Sequence, residues 1–324
     1  MSEKKDMMPV PITDFINGMN APVDLYVRLS DEKFVVVCKS GQKTDKQQLT
    51  KYQDRTIEFL WVDKEDYPRV VRNNLAIAGI IVNKHNISTV NKTDILTKAA
   101  ASVFLQMEHM GIGFESYSYA KQIVEATVAI AEAHTDLNDL LLGLKDASEP
   151  LLKHSMAVSC VSVLIAHQLK WENRQTIEKV SLGALLHDIG KKALPPEILS
   201  KPRAKLSYDE LQLYETHPYK GMQMLLSLGI VPDDIVAIVY EHHENSIGQG
   251  YPRKLRNVKI HPLAKVVALA NEFCNLTIEN PNCTSPKKPR EALLTIEHTM
   301  GQPHNKEAFR ALHFIVNREF AKTG

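Results

Sequence analysis

Five histidines stand on or beside apolar helical stripes between residues 154 and 243 of this chain. The order is His154, then His187-Asp188-Ile-Gly-Lys191, then His217-Pro-x-x-Gly221, then His242-His243-Glu244, followed by Gly250-Tyr251-Pro252. An imidazole at the end of an apolar stripe is desolvated on folding, and a desolvated polar group is stable only when hydrogen-bonded or ligated. One such histidine is most often a satisfied core residue. Five in ordered motifs, with one carboxylate among them, restrict the chain to folds that gather them in one place. The chemistry that uses such a set is metal binding.

The local spacing shows how the histidines meet. His154, Val158, Val161 and Ile165 follow a helical stripe from about Leu151, with His154 at its top. A second helix from about Thr176 carries Val180, Ala184, His187 and Asp188, and Gly190 suits the position just past a helix end. Ser207-x-x-Glu210 is a capping box opening a helix with Leu211, Tyr214 and His217. Pro218 restarts a helix, and Gly221 leaves room for a close approach. Pro232-Asp-Asp234 begins a helix that delivers His242 and His243 from adjoining apolar stripes. Leu263, Val267, Asn271 and Cys274 share a face on a later helix. Strand alternation is absent after about residue 150, so this part is expected to be all-α. The other eight histidines lack such context.

The N-terminal part reads differently. Asp24–Leu29 and Lys33–Cys38 form an expected hairpin around a turn at 30–33, and Ile57–Val62 a third strand. Lys43–Gln53 is polar, with Leu49 and Tyr52 spaced for a short helix. Residues 1–75 are therefore expected to be a small α/β or mostly-β module that regulates or docks. Residues 76–145 read as helices that link, pack or dimerise. The break Lys145-Asp-Ala-Ser-Glu-Pro150 is expected to open the histidine-bearing, metal-binding domain, 146–324.

Composition excludes several classes. A formal net charge of +1 gives no basic face for a nucleic-acid polymer or an anionic membrane. The apolar run Leu75–Val82 is too short to span a bilayer, and no signal peptide is evident. Cys38, Cys160, Cys274 and Cys283 lie far apart without a CxxC pair, which points to free thiols in a reducing cytoplasm.

These motifs resemble the HD superfamily of metal-dependent phosphohydrolases and, within it, the HD-GYP family. His187-Asp188 is the doublet of the name, and Gly250-Tyr251-Pro252 completes it. The likeness spans roughly residues 150–280. It implies an HD-type helical bundle that hydrolyses the bacterial second messenger cyclic di-GMP, using two divalent ions, iron or manganese. By position, one ion would take His154, His187, Asp188 and Asn271. The other would take Asp188, His217, His242 and His243, with Asp188 bridging. A hydroxide held between the ions would attack phosphorus. Lys191 would face the phosphate, Tyr251 would shape the loop against substrate, and Glu244 would orient a ligand histidine. A protein partner would meet the N-terminal module or the Gly-Tyr-Pro loop.

Four departures stand against that pattern. Asn271 and Cys274 occupy positions where the family has acidic residues. The loop reads Ile247-Gly-Gln-Gly-Tyr-Pro252, with isoleucine in place of aspartate. The basic stretch that clamps substrate phosphates is replaced by Asn280-Pro-Asn-Cys-Thr284, with Lys287, Lys288 and Arg290 shifted in register. Pro150 stands where a third-metal glutamate would be. The departures motivate an alternative reading, a metal-binding signalling or receptor module with little catalysis.

Overall fold

A computed structural model describes residues 6–15, 19–31, 33–43, 57–134, 136–147, 149–299 and 305–320. The short helix expected over 43–53 lies almost entirely outside the described residues. The N-terminal strands are β1 (Met7–Pro11), β2 (Leu25–Ser30), β3 (Lys33–Cys38) and β4 (Phe59–Asp63), in one antiparallel sheet of order β1-β4-β2-β3. The β2–β3 hairpin and β4 form where expected, and β4 alternates, but β2 does not: it buries Leu25, Tyr26 and Val27 together and exposes Arg28, Leu29 and Ser30. β1 was not expected, because Met-Met-Pro-Val-Pro has two residues without an N–H. It forms at the sheet edge, where proline is tolerated. Met8, Val10, Leu25, Val27, Leu60 and Val62 line the inner face and join a core that is continuous with the helices.

Three long helices follow: α1 (Tyr67–Val82), α2 (Thr89–Met110) and α3 (Phe114–Ala133), then the short α4 (Leu137–Leu142). Tyr67 is fully buried at the junction with the sheet, and its hydroxyl donates to the carbonyl of Ser102 at 3.2 Å.

The centre of the molecule is α5 (Pro150–Gln168). It is long and apolar enough to cross a bilayer, but it is mostly buried here, packed on its neighbours. A helix apolar all round is a core helix. Glu149 caps it, accepting from the Leu152 N–H at 2.8 Å, and Pro150 fills the first turn.

Around it stand α6 (Arg174–Leu186), α7 (Pro196–Leu199), α8 (Tyr208–Tyr214), α9 (His217–Leu226), α10 (Asp233–Glu241), α11 (Pro262–Thr277), α12 (Pro289–Thr299) and α13 (Lys306–Phe320). Beyond residue 150 the described residues hold isolated bridges but no strand. The fold is thus a mostly helical bundle with a small antiparallel sheet at its N-terminal side. The Ser207–Glu210 capping box forms as expected.

One local expectation is corrected. Gly190 does not sit in a left-handed position past a helix end. It lies in a 3-10 turn, Ile189–Ala193, and serves close packing. A Cβ there would stand 2.0 Å from the His217 carbonyl oxygen and 2.5 Å from the Gly221 nitrogen. The two glycines let the turn after Asp188 press against the start of α9, which brings His217 to Asp188.

Candidate metal centre

Three of the histidines owe their orientation to helix ends. The last carbonyls of a helix have no intrahelical donor. The last turns of α6, α8 and α10 leave Ala184, Tyr214 and Val239 in that position. His187, His217 and His242 each place Nδ1 on the carbonyl three residues earlier, at 2.6, 2.8 and 2.8 Å. A carbonyl only accepts, so Nδ1 holds the proton and Nε2 keeps its lone pair, the tautomer a metal ligand needs.

Those Nε2 atoms converge on Asp188, which is 1% exposed. Its Oδ1 lies 3.2 Å from His217 Nε2 and 3.6 Å from His242 Nε2. Its Oδ2 lies 3.2 Å from His187 Nε2 and 3.9 Å from His154 Nε2. The single carboxylate therefore faces two separate histidine groups. One is His217, His242 and His243, the other His154 and His187, and each forms with Asp188 a set of metal-competent atoms. Asn271 joins the second group, its Oδ1 being 2.8 Å from His154 Nε2. Cys274 does not join. It is buried in the core, and all four cysteines are free thiols.

The residues fit a cation. His217 Nε2 and His242 Nε2 face each other at 3.3 Å, although each ring's proton is committed to a carbonyl at Nδ1. Two opposed lone pairs repel unless they share an electrophile. Nε2 of His187, Nε2 of His243 and Oδ1 of Asp188 are buried and have no hydrogen-bond partner, an arrangement that is costly without a ligand.

Charge follows burial. Desolvation lowers His154 and His242 to a pKa of about 3, with His187 adding to the effect at both, and it lowers His217 and His243 as well. These rings are neutral at pH 7. Burial opposes ionisation of Asp188, but His187 and Lys191 outweigh it and hold the carboxyl well below the usual range. Lys191 Nζ donates to Asp188 Oδ2 at 2.6 Å and lies 5.6 Å from the centre of the Tyr214 ring. Burial works against its charge, yet Asp188 keeps it above the ordinary lysine range.

Glu244 has a different part from the expected one. Its two carboxylate oxygens accept from the N–H of Arg253 at 2.6 Å and of Leu255 at 2.7 Å, so it pins the loop after Gly-Tyr-Pro and orients no ligand histidine. Gly250 lets that loop close on the centre, since a Cβ there would stand 2.3 Å from the His243 carbonyl oxygen. Tyr251 then stacks on His243, ring centres 4.4 Å apart and planes 20° from parallel. Glu149 is committed to capping α5.

A cavity of about 370 Å³ opens beside His242, His243 and Asn271. Sequence reasoning missed one of its walls, Arg203, whose guanidinium carbon lies 5.2 Å from the Tyr251 ring centre. Its only local signal is a basic residue in the Lys201-Pro-Arg203 connection, which reads as solvated. Lys287, Lys288 and Arg290 are not among the described residues that line the cavity.

Known proteins share parts of this chain. The HD domain signature matches residues 142–305, half of the chain. A cyclic di-GMP phosphodiesterase of Pseudomonas aeruginosa is 33% identical over 184 residues, covering 57% of this chain and 44% of the relative. A cyclic di-GMP phosphodiesterase of Thermotoga maritima is 30% identical, covering 49% of this chain and 43% of the relative. A 3'3'-cGAMP-specific phosphodiesterase of Vibrio cholerae is 30% identical, covering 58% and 42%. The chain thus spans less than half the length of these curated relatives. The solved structure of a HDG"Y"P protein from Bdellovibrio bacteriovorus superposes with a TM-score of 0.75 at 20% identity, over 96% of this chain and 100% of that one, and so shares the fold. The order of its motifs resembles that of the HD-GYP proteins, and the chain belongs to the HD domain family.

Proposed function

We propose that this protein is a two-metal phosphodiesterase that hydrolyses cyclic di-GMP in the cytoplasm. The observation that carries the reading is the split of Asp188, with Oδ1 toward His217 and His242 and Oδ2 toward His187 and His154. In it, His217, His242 and His243 would hold one divalent ion, His154, His187 and Asn271 would hold the other, and both sets would draw on Asp188. Iron(II) and manganese(II) are the ions to load first. When bound, such a pair supplies Lewis acidity at phosphorus and a water that deprotonates near neutral pH.

The chain's own residues do the rest. The Nδ1–H bonds to Ala184, Tyr214 and Val239 fix three rings before any ion arrives, so little reorganisation accompanies binding. Lys191, charged and mostly buried, donates to Asp188 Oδ2; with an ion bound at that oxygen, its ammonium would be free to face the non-bridging phosphate oxygens, where negative charge grows. Tyr251, held by its stack on His243, covers the mouth of the site and limits bulk water. The module over residues 1–75 regulates the helical domain, 146–324, through the helices between them.

The named substrates of the relatives support a cyclic dinucleotide, and 3'3'-cGAMP is the second substrate to assay. The test is turnover of both by the full chain, purified without chelator and then loaded with each ion, beside Asp188→Ala. Turnover lost in Asp188→Ala supports the reading. Bound metal without turnover under any loading would reassign the protein as a receptor that keeps the centre and lacks the reaction.

A further inference from the structure

A cyclic dinucleotide carries two phosphodiesters on one ring. With one at the metals, the other must lie within a ring's width of them, in a wall that can neutralise it. Among the described residues, the cations that line the cavity are Arg203 and Lys254. The same wall carries the carboxylates of Glu215 and Glu272, which repel an incoming anion unless a cation offsets them.

Arg203 is the cation that the structure holds in place. Its guanidinium lies against Tyr251, the ring that stacks on His243, so it is one aromatic layer removed from the centre. It pairs with Glu215, and its side chain is still 46% exposed. A guanidinium has five donors, so an anion at the cavity finds donors that Glu215 does not use. The backbone adds a second hold. The Arg203 N–H donates to Asn282 Oδ1 at 2.5 Å, and Asn282 N–H in turn donates to Asn280 Oδ1 at 2.9 Å. Asn280 anchors on the end of α11 through the carbonyls of Asn275 and Ile278, at 3.0 and 2.8 Å. The asparagine-rich turn 280–284 has no cation of its own, but it holds the backbone of the loop that brings Arg203 to the cavity.

We infer that Arg203 binds the second phosphate of the cyclic dinucleotide and that Asn282 is its positioning residue. The inference rests on the phosphodiesterase reading above. Substrate displaces Glu215 from part of the guanidinium, and the two planar N–H pairs then face phosphate oxygens, a geometry for which lysine is a poor substitute.

The experiment compares steady-state kinetics on cyclic di-GMP with those on bis(p-nitrophenyl) phosphate, which has a single phosphodiester. The metal-loaded full chain carries Arg203→Ala, Arg203→Lys, Asn282→Ala, the Arg203→Ala/Asn282→Ala pair, or Lys259→Ala as an exposed charge control. In Arg203→Ala, KM for cyclic di-GMP is expected to rise about 10- to 100-fold. The preference for cyclic di-GMP over the one-phosphate substrate falls by a similar factor. The salt dependence of KM flattens, as loss of a phosphate contact requires. Arg203→Lys falls between Arg203→Ala and wild type. Asn282→Ala raises KM less, and it adds nothing in the Arg203→Ala background. Lys259→Ala matches wild type.

An unchanged KM in Arg203→Ala, or an equal loss on both substrates with loss of bound metal, overturns the assignment. So does full additivity of the Arg203 and Asn282 changes, for the positioning role. A wild-type protein that neither binds nor turns over cyclic di-GMP overturns the substrate reading together with this one. A wild-type protein that turns it over with Arg203→Ala equally good overturns this one alone.

Discussion

The cluster around Asp188 and the wall around Arg203 are separated by the Tyr251 ring, yet they are held by different means. The cluster is buried, with Asp188, His187, His217 and His242 at 1% exposure or less. Its rings are fixed by main-chain carbonyls at helix ends. The wall is made of connections. Arg203 is exposed, it sits between α7 and α8, and its place depends on the side chains of Asn282, which accepts from its backbone, and Glu215, which accepts from its guanidinium. Helix ends give a rigid ligand set before any ion binds. Loops give a surface that exchanges partners when substrate arrives. Changes in the cluster should therefore cost metal and chemistry together, whereas changes in the wall should cost substrate affinity alone.

The sharpest way to break that distinction is Asp188→Ala, which removes the carboxylate both histidine groups share. Turnover should fall by about a thousandfold or more, and bound metal should fall with it on elemental analysis. Next comes Lys191→Ala. This lysine touches Asp188 without belonging to either metal set, so kcat should fall roughly 100-fold while metal content holds. Loss of metal in that variant would place Lys191 inside the cluster's structural support.

Acid tests the cluster without mutation. His154 and His242 are neutral in the ion-free fold, with pKa values of about 3. The unfolded chain takes up these protons near pH 6.5, so it binds more protons than the fold between the two values. The stabilisation is complete above about pH 6.5 and is lost as pH falls toward 3, at up to about 1.4 kcal/mol per pH unit for each ring. Chelator-treated protein should show this slope in urea titrations between pH 7 and 5, and Arg203→Ala should leave it unaltered. The smallest effect is expected from Asn271→Asp. It adds a charge beside His154 and should tighten the second ion by about tenfold, read by competition with a metal-sensitive dye.

The same contrast governs what was legible in the sequence. Helical stripes located the five histidines, because period 3.6 and apolar neighbours mark a buried face wherever they occur. Asn271 shares a helix face with Leu263 and Val267, but its place beside His154 was expected only from the resemblance to the HD-GYP family. The doublet's geometry was less legible. His187 ends α6 and Asp188 lies beyond it, and Gly190 packs against α9 where an ordinary helix stop was expected. A contact between segments more than twenty residues apart leaves no periodic trace. β1 escaped because its two prolines argue against a strand unless the strand is known to lie at an edge. Glu244 was assigned to a histidine by proximity in sequence, but its partners are N–H groups of the following loop. Arg203 was invisible, since its meaning depends on Tyr251 and Asn282, far away in the chain.

The central claim is that one carboxylate is shared by two ions. The most direct test is the metal content per chain of wild-type protein and of His154→Ala and His217→Ala, each loaded with manganese(II) or iron(II) and freed of excess. The account predicts two ions per chain in wild type, one in each single variant, and fewer than one in Asp188→Ala. A single ion per wild-type chain, or an Asp188→Ala protein that keeps two, would contradict it.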